Sequence, residues 1–165
     1  MRLFVVIAVL LCWVGSGHAA APPGDKRELL SDHDTVAKFV GTKAVKCRGL
    51  TALCPEDCGH SGDMATFEVV AYVAYEKKGQ YGDPKSKQFV TMVQDNKGNA
   101  KLPKAVADKI NALQAGDLVR LHWRHDYVSR TEAGGGVSKF PDRPIVSVEK
   151  LTQAEADKLA KEAKE

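Results

Sequence analysis

"MATFEVVAYVAYEKK", residues 64–78, alternates with a period of two. In an extended chain Phe67, Val69, Ala71, Val73 and Tyr75 fall on one face. A helix would scatter the same side chains around its axis. The run is also rich in β-branched and aromatic residues, which fit a pleated, half-buried surface. It therefore predicts a long strand with one face turned to a core.

Working outward, the neighbouring segments give the same type of signal. "TKAVKCRGL" (42–50) sets Val45 and Cys47 against Lys46 and Arg48 and predicts a strand before it. "KQFVTMVQD" (87–95) predicts a third strand, closed by the turn "DNKGN". The period then changes. In "LPKAVADKINALQAGD" (102–117), Val106, Ile110 and Leu113 recur at helical spacing, Pro103 suits the first turn and Gly116 suits the stop. "DLVRLHWRHDYV" (117–128) and "RPIVSVEKL" (143–151) predict two more strands, the former with Val119, Leu121 and Trp123 inward.

The flanks differ in character. Residues 22–41 read as a polar arm after Pro22-Pro23-Gly24, with Leu29, Leu30, Val36, Phe39 and Val40 forming at most a short docking helix. The tail 152–165 is a charged, Ala-rich helix, expected as a solvated appendage. At the N-terminus, Arg2, the apolar run Leu3–Val14 and Ala19-Ala20-Ala21 fit a secretory signal peptide over residues 1–21. Twelve apolar residues are too few to span a bilayer, and no later segment reaches the roughly 20 that a membrane helix needs. The expectation is a periplasmic or secreted protein, soluble after cleavage, that loses Cys12 with its leader.

The order strand-strand-strand-helix-strand-strand over residues 42–151 resembles the OB-fold, a five-stranded Greek-key barrel with a helix between strands three and four. The resemblance implies a mainly β domain with a binding face at one end, flanked by the loop between strands one and two and the loop between strands four and five. It does not fix a function, because such barrels carry many unrelated sites.

Chemistry concentrates in "CRGLTALCPEDCGHSGD" (47–63), which falls in the first of those loops. Cys54 and Cys58 are spaced to share one side of a helical turn, started by Pro55 and ended by Gly59, with His60 next and Cys47 at the end of strand one. The same end of the barrel is expected to receive His122 and His125 from strand four. Thiolates and imidazoles suit Zn²⁺ or copper and not Mg²⁺ or Ca²⁺. An exported chain also pairs cysteines, so a structural disulfide among Cys47, Cys54 and Cys58 is the rival reading; three cysteines leave one over. The spacing does not fit the C-x-x-C-H of c-type haem or the C-x-x-C of thioredoxin-like proteins.

Strand four offers a second surface. With Trp123 inward, Arg120, His122 and Arg124 share the outer face and, with Tyr72, could bind an anionic glycan or a nucleic acid. A solvated basic face is the simpler account. The formal net charge of +3, from 24 basic and 21 acidic residues, is not that of a dedicated nucleic-acid binder, so nucleic acid is disfavoured as a partner. No G-x-S-x-G, phosphate-binding glycine loop or H-E-x-x-H is present, and no catalytic residue is assigned. The sequence thus points to a small binding or accessory module. A thiol-dependent enzyme is the remaining alternative.

Overall fold

The structure is a computed structural model that describes residues 25–49, 52–132 and 134–163. The leader expected at residues 1–21, with Cys12, lies outside the described residues. The chain is mainly β. In order its elements are β1 (Lys26–Val45), β2 (Gly62–Lys77), β3 (Gln88–Asp95), α1 (Lys104–Asn111), β4 (Leu118–Thr131), β5 (Val137–Asp142), β6 (Ile145–Leu151) and α2 (Gln153–Glu162).

The six strands form one open antiparallel sheet in the order β3-β2-β1-β4-β5, with β6 also on β4. β1 and β4 run through its centre. The helix expected at 102–117 is present as α1, and the segment expected as a single fifth strand begins after a separate strand, β5. No ladder between β3 and β6, which would close a barrel, occurs among the described residues.

Two readings of the flanks are corrected. Of the expected arm 22–41, the described residues 25–41 hold most of β1, the central strand, and no docking helix. Their inward positions are Ser31, His33, Thr35, Ala37 and Phe39, all buried. Three of the five are polar, so the apolar alternation that marks β2 is missing from the sequence of β1. The C-terminal helix is not a free appendage. It packs against β2, β4 and β1 and buries Ala156. A capping box closes its N-terminus: Thr152 accepts from the Glu155 N–H, and the Glu155 carboxylate accepts from the Thr152 N–H at 2.8 Å.

The main core lies between one sheet face and α1. Phe39, Phe67, Phe89, Leu121, Trp123 and Val148 form one cluster with Ile110 of α1, and Val106 and Leu113 pack against it. Burying a side chain such as Leu121 or Phe67 is worth roughly 1.5–3 kcal/mol each. The β1–β2 register slips between Asp34 and Thr35 and again between Val36 and Ala37. The Val36/Ala37 slip turns Tyr72 inward, where strict alternation from Phe67 would have turned it outward, and the Asp34/Thr35 slip keeps Tyr75 on the same side, so both rings stand beside His33.

Candidate functional site: a cysteine–histidine loop

The end of β1 and the start of β2 bring the cysteine loop back onto itself. Ser61, buried, is the hinge of this arrangement. Its hydroxyl accepts from the Cys47 N–H at 3.0 Å and donates to the Pro55 carbonyl at 2.6 Å. One side chain thereby joins the strand end to the turn that carries Cys54 and Cys58. Gly62 follows, where a Cβ would stand 2.2 Å from the Gln94 carbonyl oxygen, so only glycine lets β2 come this close to β3.

The turn after β3 clamps the loop from the other side. Asp95 accepts from the Asn99 side-chain amide at 2.9 Å and from the Asn99 and Lys97 backbone N–H groups at 2.8 and 2.9 Å, and these bonds, with the Lys101 ammonium, hold its carboxyl well below the usual range. Asn96 then donates to the Glu56 carbonyl at 3.0 Å, and the Lys97 ammonium pairs with Asp57. The segment 52–57 is a run of turns, with the Asp57 N–H donating to the Leu53 carbonyl at 2.8 Å. Gly59, at φ 72°, ends it in the left-handed conformation that the sequence suggested.

Within this frame the donor atoms of Cys47, Cys58 and His60 all lie within 4.8 Å of one another. The Cys47 and Cys54 sulfurs are 2.8 Å apart. No pair of described cysteines is at the bond length of a disulfide, about 2.05 Å. The His60 backbone N–H lowers the Cys58 thiol pKa, but burial and the neighbouring Cys54 and Cys47 thiols together raise it above its ordinary value. That is the reverse of an activated nucleophile. His60 is exposed and borders a groove of about 1000 Å³ whose far wall is the β5–β6 corner, Pro141–Ile145. The cysteine loop and the β5–β6 corner thus border one groove.

No family model, curated protein or solved structure matches this chain. The site is therefore read from its own chemistry.

The strand-four histidines do not join the loop. His122 Nε2 meets Asp32 Oδ1 at 2.8 Å on the outer face, and His125 is buried beside Asp83. The outer face is also not simply basic. Asp34 takes both Nε and Nη2 of Arg120 at 3.0 and 2.6 Å, and Arg124 approaches Asp126 at 3.4 Å. These acids come from β1 and from the strand's own continuation. Tyr72 belongs to the opposite face, its ring 6.4 Å from that of Trp123 and its hydroxyl bonded to Ser86. Arg120, His122, Arg124 and Tyr72 thus do not form one surface.

Sequence reasoning missed Asp83. It lies in the β2–β3 connection, where Arg143 grips its carboxylate with two bonds of 2.7 and 2.9 Å. The pair is separated by 60 residues, and no local pattern announces it.

Proposed function

We propose that this chain is an exported binding module whose cysteine–histidine loop holds a soft metal ion, zinc or copper. The observation that carries the reading is the convergence of Cys47, Cys58 and His60 within 4.8 Å. With Cys54 as fourth ligand the set becomes Cys₃His, a composition typical of closed structural zinc sites. Tetrahedral zinc with bonds of ~2.3 Å separates its sulfurs by about 3.7 Å, so Cys47 and Cys54 would part by about 1 Å on binding. The strand order around β1 and β4 supports an OB-like scaffold, in which this loop sits at the binding end.

The raised Cys58 thiol speaks against thiol catalysis, which needs a lowered one. An anionic glycan or nucleic acid on strand four has less in its favour, since Arg120 and Arg124 already face carboxylates. A second reading does have a specific observation behind it: the 2.8 Å approach of Cys47 and Cys54 suits a disulfide that would leave Cys58 and His60 over.

Zinc and copper are to be quantified by elemental analysis in protein isolated from the exported fraction, alongside its intact mass. One metal per chain with three reduced thiols is the expected result, and the mass also reports whether the leader has been removed. A mass two hydrogens short, with metal well below stoichiometry, would replace the metal reading with the disulfide. Cobalt(II) substitution gives an independent check, because its sulfur charge-transfer band scales with the number of thiolates bound.

A further inference from the structure

β3 ends the sheet on one side and is bonded only to β2. The Val69 N–H donates to the Lys87 carbonyl at 2.9 Å, so these two residues are a hydrogen-bonded pair. The alternation of an antiparallel ladder then turns the N–H and C=O of Phe89 and Thr91 toward β2, and those of Gln88, Val90 and Met92 away from it. Gln88 is satisfied locally: its N–H donates to Ser86 Oγ at 3.2 Å and its carbonyl accepts from that hydroxyl at 2.7 Å. The outward groups of Val90 and Met92 have no protein partner among the described residues. The strand at the other end of the sheet is guarded. β5 carries Lys139 and Pro141, the second of which has no N–H to offer, whereas β3 has no proline and no charge before Asp95.

Beside the β3 edge lies the groove of about 1000 Å³ that ends at His60. Thr91 and Met92 form one of its walls, and the β5–β6 corner faces them. Leu102, Pro103, Phe140, Pro144 and Ile145 supply apolar surface. Its cations are each held by a carboxylate: Arg27 by Asp142 at 2.8 Å, Lys101 by Asp95 at 3.0 Å and Arg143 by Asp83 at 2.7 Å. The walls therefore offer little attraction to a charged ligand. A row of outward N–H and C=O groups at strand spacing is complementary to another extended chain. A second copy of β3 does not suit, because its own β2 lies about 4.8 Å behind it and the β5–β6 corner occupies that side.

We propose that this groove takes one extended peptide segment of a partner protein, added to the edge of β3 as a further strand and carrying uncharged apolar side chains at alternate positions. Main-chain bonds to Val90 and Met92 attach it, and its alternate side chains cover the apolar wall. The added strand occupies the place where a β3–β6 ladder would close the barrel. The site stands apart from the metal reading, since neither Val90 nor Met92 is a proposed ligand.

The probe is a capped heptapeptide of alternating serine and valine, titrated into the ¹⁵N-labelled full chain and followed by amide hydrogen exchange. Saturable binding should slow exchange at Val90 and Met92, while Phe89 and Thr91 are protected with or without peptide. Val90→Pro removes one outward N–H at a residue 44% exposed and leaves the β2 ladder in place. It should weaken the peptide roughly tenfold, the value of one such hydrogen bond, with an unchanged urea midpoint. The heptapeptide N-methylated at every residue keeps its side chains but has no backbone donors, and should lose at least as much affinity with the protein untouched. Aspartate in place of valine should also weaken binding at least about tenfold, because a carboxylate is desolvated against the apolar wall. The proposal is overturned by unprotected Val90 and Met92 amides at the highest peptide concentration, by full affinity of Val90→Pro or of the N-methylated peptide, or by equal affinity of the aspartate peptide. A dimer of the peptide-free chain in sedimentation, abolished by Val90→Pro, would replace the peptide with a second copy.

Discussion

Ser61→Ala tests whether the cysteine loop is organised as described. The Ser61 hydroxyl makes two bonds, to the Cys47 N–H at 3.0 Å and to the Pro55 carbonyl at 2.6 Å, at a residue 1% exposed. Alanine fits the same space but satisfies neither group. Two neutral hydrogen bonds at about 1 kcal/mol each give a loss of about 2 kcal/mol, more if the orphaned groups stay dry. How that loss is read depends on when the loop is ordered. If the loop is ordered only with metal bound, the whole loss falls on binding and weakens zinc affinity about 30-fold, at 1.4 kcal/mol per decade. If it is ordered without metal, the loss falls on folding and lowers the urea midpoint of the metal-free protein instead. Chelator competition measures the first quantity, and urea unfolding in the presence of chelator measures the second. The two losses together should come to about 2 kcal/mol. Zinc affinity within twofold of the parent together with an unchanged urea midpoint would refute the claim that Ser61 joins strand and turn.

Three further outcomes follow from the geometry. Gly62→Ala places a Cβ against the Gln94 carbonyl at 2.2 Å and should destabilise the protein by at least about 2 kcal/mol in urea; a neutral result would mean β2 and β3 are less closely apposed. His33 and His125 both have folded pKa values lowered by burial, against 6.5 when unfolded, so the unfolded chain takes up more protons below that value. Stability should be complete above about pH 6.5 and fall as the pH drops from there toward the folded values, by up to about 1.4 kcal/mol per pH unit for each histidine; a flat profile between pH 7.5 and 5 in metal-free protein would contradict their burial as neutral rings. The double change Arg120→Ala and Arg124→Ala should leave retention on heparin unaltered, because both guanidiniums already face carboxylates. Loss of salt-dependent retention in that variant would restore strand four as an anion-binding face.

Several parts of this molecule are legible in its sequence because they depend on neighbours along the chain. β2 is announced by the alternation of Ala65, Phe67 and Val69, and α1 by Val106, Ile110 and Leu113, whose periods are set by backbone geometry alone. The turn that carries Cys54 and Cys58 is equally local, since one run of turns leads to the left-handed Gly59.

Other features were decided only when distant segments met. β1 gives no apolar alternation because its inward row includes Ser31, His33 and Thr35; two of these polar groups find partners from distant segments, as Thr35 donates to the Leu121 carbonyl at 2.9 Å and Ser31 accepts from the Asp83 N–H. The cations of strand four look available until β1 lays Asp32 and Asp34 beside them. His125 has Asp126 next to it in sequence, but the carboxylate that approaches its ring is Asp83, delivered by the β2–β3 connection and fixed by Arg143 from the β5–β6 corner. Sequence determines which faces a strand or helix presents. Which charges cancel and which buried groups find partners depends on the sheet register that tertiary packing selects.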